Sequence, residues 1–197
     1  MRDILLVDCC VRGNQSRTAR LARAFVSALD TEKCRVTVVD PAKEGLAPLT
    51  AETLRTRDRL LARGALDDDT LRYARQFAAA DEVAVAAPFW DLSFPAILKV
   101  YIENVSVSGI TFETLADGLR GRCRGRHLIF LTTRGGVYEN EALSHLEQGS
   151  RYMEALSAFF GFDEYVCIAA EGLDMVPDPE EPLSRAEEQA RALAARL

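Results

Sequence analysis

Five short apolar runs, separated by stretches with helical patterning, leave few folds open to this chain. The runs are Ile4–Val7, Val36–Val39, Glu82–Ala87, His127–Leu131 and Tyr165–Ala170. They are continuous rather than alternating, as strands covered on both faces are. Between the first two, Ser16–Leu29 places Leu21, Ala24, Phe25, Ala28 and Leu29 on one helical face, with Ser16 as the N-cap. Further helices are expected near Ala51–Arg63, Thr70–Ala80, Phe94–Val107 and Ala142–Phe160, the last stopped by Gly161. A final Ala-, Arg- and Leu-rich helix follows the acidic Glu171–Pro182 stretch. Such alternation gives an α/β fold, a parallel sheet with helices on both faces. No linker or repeat divides residues 1–197, so one domain is expected.

The totals exclude several functions. The formal net charge is −6 and the arginines are scattered among acids, so no basic face for nucleic acid is expected. No run reaches the length of a membrane-spanning helix, and the first apolar run is too short for a secretory signal, so a cytoplasmic location is expected. The cysteines, Cys9, Cys10, Cys34, Cys123 and Cys167, are odd in number and lack zinc or redox spacing, which reads as free thiols. Asp67-Asp68-Asp69 reads as a solvated loop favouring the start of the next helix, with no metal.

In a sheet of this kind, ligands bind beyond the carboxyl ends of the strands, where strand order reverses. That rule selects the loops after the first, third and fourth runs. The first, Cys9 through Thr18, lacks both the dinucleotide and the P-loop glycine patterns. It offers Ser16, Arg17 and Thr18 at a helix start, where backbone amides, two hydroxyls and a guanidinium suit a monophosphate. The second, Pro88-Phe89-Trp90-Asp91-Leu92-Ser93-Phe94-Pro95, is stiff and aromatic, a wall for a flat heterocycle. The third, Thr132-Thr133-Arg134-Gly135-Gly136-Val137-Tyr138, has paired glycines that let backbone approach a ring and Thr133 to read its polar edge. One phosphate, one flat ring and one polar ring edge describe flavin mononucleotide.

These residues resemble the FMN-dependent NADH:quinone oxidoreductase and azoreductase family of the flavodoxin-like superfamily. The resemblance covers most of the chain. It is most specific in Ala87 through Lys99, in Gly109-Ile110-Thr111-Phe112 and in Thr133-Arg134-Gly135-Gly136. It implies a flavodoxin-like three-layer sandwich whose five parallel strands are ordered 2-1-3-4-5, and a homodimer with the flavin near the interface. Cys9, Ser16, Arg17 and Thr18 would serve the phosphate. Pro88, Phe89, Trp90, Asp91 and Leu92 would line the isoalloxazine, and Thr133, Arg134, Gly135, Gly136 and Tyr138 would reach its pyrimidine side. Arg134 would stabilise negative charge on the reduced ring, and Tyr138 is a candidate proton donor.

The implied reaction is ping-pong. NADH or NADPH gives hydride to FMN, and a quinone, azo or nitroaromatic acceptor then removes two electrons. No catalytic side chain is assigned, and His127 and His145 read as structural or surface residues. The sequence departs from the family where Cys9-Cys10 replace serines and Trp90-Asp91 replace a Tyr-Asn pair. Those departures favour a general flavin-dependent reductase over a dedicated azoreductase. The vicinal cysteines are also a candidate redox pair. The rival reading is a flavodoxin-like electron carrier, or an FMN-binding protein, without NAD(P)H turnover.

Overall fold

The computed structural model describes residues 1–140 and 142–197. The elements are β1 (Arg2–Asp8), α1 (Arg17–Ser27), β2 (Cys34–Val39), α2 (Ala51–Ala62), α3 (Arg72–Ala79), β3 (Glu82–Ala86) and α4 (Ala96–Val105), followed by β4 (Phe112–Leu115), β5 (Gly118–Gly121), β6 (His127–Thr133), α5 (Gly149–Phe160), β7 (Glu164–Ala170) and α6 (Glu180–Ala194). Five strands form one parallel sheet ordered β2-β1-β3-β6-β7. With the separate β4–β5 hairpin set aside, this is the 2-1-3-4-5 order, and strand order reverses between β1 and β3.

The two faces follow from the period of two along each strand. Ile4, Leu6, Ala84, Ala86, Ile129 and Leu131 face α1 and α6, where Leu21, Phe25, Ala186 and Ala190 meet them. Leu5, Val7, Val83, Val85, Leu128 and Phe130 face α3, α4 and α5, against Phe77, Leu98, Tyr101 and Met153. Leu21 and Phe25 have 0% exposure, and full burial of each such side chain contributes about 1.5–3 kcal/mol.

Three helices are shorter than the apolar pattern suggests. Proline at position 95 fixes the entry to α4, which begins at Ala96 and ends at Val105. A 3-10 turn, Asp69–Leu71, precedes α3. The stretch from Ala142 is not one helix with α5: Ser144–Leu146, which contains the exposed His145, is a separate 3-10 turn and α5 starts at Gly149. There the Glu147 carboxylate accepts from the Ser150 N–H at 2.9 Å, a capping bond that an uninterrupted helix would exclude.

The β4–β5 hairpin is an addition. Phe112 pairs with Gly121 and Leu115 with Gly118 across a turn at Ala116-Asp117. Gly121 lies so close to the end of α5 that a Cβ there would stand 2.1 Å from the Phe160 carbonyl carbon.

At the amino ends of the strands, Glu82 is 1% and His127 8% exposed. His127 Nδ1 lies 2.7 Å from Glu82 and Nε2 lies 3.3 Å from Glu164, while Arg2 approaches Glu82 at 3.8 Å. His127 is structural, as its place at the start of a strand suggests.

Candidate functional site

At the opposite, carboxyl edge, the three loops converge on one open cleft of about 640 Å³. It is lined by Arg12, Gln15, Ser16, Arg17, Pro88, Phe89, Trp90, Thr133, Gly135 and Asp174.

The loop after β1 turns on Asp8, whose carboxylate accepts from the Cys10 N–H at 2.9 Å. Ser16 caps α1 by accepting from the Ala19 N–H at 3.2 Å. The next amides, on Arg17 and Thr18, precede any intrahelical carbonyl and find no acceptor among the described residues. The Arg17 guanidinium donates to the Leu173 carbonyl at 3.1 Å and to Asp174 at 2.8 Å. Those partners are more than 150 residues away in sequence, so no local pattern announces Asp174.

Two residues expected here do not offer their side chains. Thr18 is 0% exposed, and its hydroxyl lies 2.6 Å from Thr133 Oγ1, tying α1 to the end of β6. Cys9 is 2% exposed. Its thiol sits in the α3–α4 core and its N–H is taken by the Ala86 carbonyl at 2.8 Å. Cys9 is too small and too deeply packed to reach the cleft.

The loop after β3 is a tight hairpin. Trp90 and Ser93 exchange backbone bonds at 3.2 and 2.8 Å around Asp91 (φ 49°) and Leu92 (φ 66°). Turns with positive φ at both central residues favour asparagine and glycine, and a left-handed leucine costs roughly 1–2 kcal/mol. Neighbours hold the strain: the Gln148 N–H donates to the Leu92 carbonyl at 3.0 Å and the Phe89 N–H to the Thr133 carbonyl at 3.1 Å. Pro88, Phe89 and Trp90 form the cleft wall, whereas Asp91 and Leu92 are exposed outside the lining.

The loop after β6 corrects a further expectation. Arg134 is 5% exposed. Its guanidinium lies between Glu147, at 3.2 Å, and Glu171, which it also contacts. Two carboxylates already satisfy its charge, so it is not free to stabilise a ligand anion. Gly135 reaches the cleft, with the Asp174 carboxylate where its Cβ would be. Gly136 packs against Tyr138, whose ring lies tilted against Phe89 at 4.7 Å between centroids rather than lining the cleft. The amides of Gly135 and Gly136 have no acceptor among the described residues. Arg12, Gln15 and Asp174 line the cleft without having been singled out as ligand residues in the sequence.

Unpaired helix-start amides with Arg12 and with the half-exposed Arg17, whose one carboxylate partner Asp174 is itself exposed and able to turn away, an aromatic wall, and unpaired glycine amides beside Thr133 make a donor set that fits FMN. The phosphate would meet the first and the ring edge the last.

Cys9 and Cys10 are not a redox pair. Cys10 packs in the α1–α6 core, on the other side of the sheet from Cys9. Burial, reinforced by the neighbouring Asp8 charge, pushes both thiols well up from their ordinary value. A raised thiol pKa leaves the neutral, unreactive form at about pH 8. Iodoacetamide at that pH should therefore leave both unlabelled in the folded protein and label both after unfolding, as read by peptide mass spectrometry. Rapid labelling of either thiol in the native state would contradict this placement.

The sheet order and the cleft at its switch point define a flavodoxin-like protein. The family described as Flavodoxin-like fold matches residues 2–194. An FMN-dependent NADH:quinone oxidoreductase of Clostridium acetobutylicum is 37% identical over 183 residues, covering 89% of this chain and 91% of the relative. A protein of the same name from Clostridium perfringens is 35% identical, covering 98% of each chain. The crystal structure of an azoreductase from Bacillus anthracis superposes with a TM-score of 0.89 at 26% identity, covering 100% of both chains. The chain belongs to the flavodoxin-like family of FMN-dependent NADH:quinone oxidoreductases and azoreductases, which are enzymes.

Proposed function

We propose that this protein binds FMN in the cleft and carries two electrons from NADH to a quinone or azo acceptor in a ping-pong cycle. NADPH is the alternative donor. The observation that carries the reading is the convergence of three loops, distant in sequence, on one cleft with anion-binding amides at one end and an aromatic wall at the other. Bound there, FMN would supply hydride acceptance and two-electron delivery.

The chain supplies placement. The Arg17 and Thr18 amides, with the Arg17 and Arg12 guanidinium groups, hold a phosphate. Phe89 and Trp90 would lie against a ring, and Thr133 with the unpaired Gly135 amide, and the Gly136 amide next to it, would meet its polar edge. The cleft is open to solvent, which would leave room for donor and acceptor in turn. A homodimer is part of the proposal. A groove between α4 and α5, lined in part by Ile102, Tyr152, Leu156 and Phe159, is its proposed seat.

Trp90 is the sole tryptophan and lines the cleft, so it reports binding directly. Adding FMN to the apoprotein should quench its emission. Anaerobic NADH should then bleach the flavin spectrum, and a quinone should restore it. Quenching without bleaching would sink the reductase reading and leave an electron carrier. Absence of any FMN binding would sink the cofactor assignment itself.

A further inference from the structure

We infer that Arg134, Glu147 and Glu171 are a positioning cluster, setting the two ring-facing loops of the cleft without touching the ligand. The inference rests on the flavin reading above and assigns roles that the family name does not.

The three side chains are only 6%, 8% and 9% exposed. The two carboxylate arms end on different segments that adjoin the cleft. Glu171 accepts from the backbone N–H of Tyr138 at 3.0 Å and of Glu139 at 3.2 Å, which fixes the loop that carries Gly135 and Gly136. Glu147 accepts from the Ser150 N–H at 2.9 Å and hydroxyl at 2.5 Å, which fixes the start of α5. The adjoining Gln148 N–H, at 3.0 Å, holds the carbonyl of left-handed Leu92 in the aromatic loop. Between them, the Arg134 guanidinium lies 5.6 Å from the centroid of the Phe89 ring, the wall of the cleft.

Stability alone does not account for this arrangement. A buried cation with its carboxylates gains little over well-packed apolar side chains of the same volume, because desolvating the charges offsets their attraction. Two carboxylates around one guanidinium make that balance worse. What apolar packing cannot supply is direction. Charged acceptors aimed at named backbone amides fix the Gly135–Gly136 amides and the strained turn relative to each other. A ring lying between those two loops is sensitive to their separation.

The consequence is separable from phosphate binding. Glu171→Gln preserves shape and weakens the acceptor, while Arg134→Lys keeps a cation but loses the fork geometry. Each apoprotein is titrated with FMN and with riboflavin, which lacks the phosphate, and Trp90 quenching is followed. Both ligands should bind about tenfold more weakly to either variant, a loss of about 1.4 kcal/mol, with the FMN-to-riboflavin affinity ratio kept. In contrast, Arg17→Ala should weaken FMN and leave riboflavin unchanged.

A cluster that only stabilises the fold would lower the apoprotein's melting temperature and leave both affinities as in the wild type. That result overturns the inference, as does a loss confined to FMN. Should Glu171→Gln not fold, Arg134→Lys alone decides. A wild-type chain that binds neither compound overturns the flavin reading together with this one.

Discussion

Arg134→Met is expected to lower the unfolding free energy by about 3–5 kcal/mol, because it leaves two carboxylates buried without their cation. The side chains concerned are Glu147 and Glu171, 8% and 9% exposed. Methionine fills much of the same volume, so the loss would come from uncompensated charge rather than from a cavity. Urea denaturation of the apoprotein near neutral pH measures it. Adding Glu147→Gln to the methionine variant should recover part of the loss, since one fewer charge is stranded. A cost below about 1 kcal/mol would show an ordinary surface pair and contradict the burial described here.

Gly121→Ala is expected to be nearly as damaging, at about 3 kcal/mol. Its Cβ would stand 2.1 Å from the Phe160 carbonyl carbon and 2.2 Å from the Gly161 nitrogen. Both are backbone atoms at the end of α5, where Gly161 closes the helix at φ +86°, so neither side can give way. Gly135→Ala is the control. Its Cβ would also meet an atom at 2.2 Å, but that atom is Oδ2 of Asp174, whose exposed side chain can rotate away. Its stability change should stay within about 0.5 kcal/mol. Thermal or urea unfolding of the two variants separates them, and equal losses would refute the distinction between backbone and side-chain neighbours.

Much of the architecture is legible in the amino-acid sequence. The apolar runs are continuous because β1, β3 and β6 are covered on both faces, and that continuity alone implies helices on each side. The three loops at the cleft are found by the same logic, since the switch point depends on strand order and not on side chains. Helix limits are less legible. Ala142 onward carries helical patterning, yet Glu147 draws its bonds to Ser150 and Arg134, and the helix starts only after it. The β4–β5 hairpin has strands of only four residues each, too short for an alternating pattern to show, and its two loop residues, Ala116-Asp117, are not one of the favoured hairpin pairs.

Within the site, residue types were legible but their partners were not. Arg134 reads as a free cation because the carboxylates that engage it lie 13 and 37 positions further along the chain (147 − 134; 171 − 134). Thr18 reads as a phosphate donor because Thr133, which takes its hydroxyl, comes from another loop. Asp174 is invisible to sequence for the same reason, standing against Arg17 only after β7 has joined the sheet. Local sequence states which groups a loop carries, and long-range pairing decides which of them remain available.

The charged contacts at the far end of the sheet bear on how this chain avoids misassembly. Arg2, Glu82, His127 and Glu164 stand at the first residues of β1, β3, β6 and β7, and the paired registers place Glu82 beside His127 and His127 beside Glu164. A one-residue slip of any of these strands would already send its apolar set to the wrong face. A slip of β3 against β6 would also take the buried Glu82 away from His127. The Glu82–His127 contact therefore works as a registration mark between β3 and β6, in a topology whose distant strand pairings form slowly, and a misaligned pair loses both its apolar face and its buried ion contact.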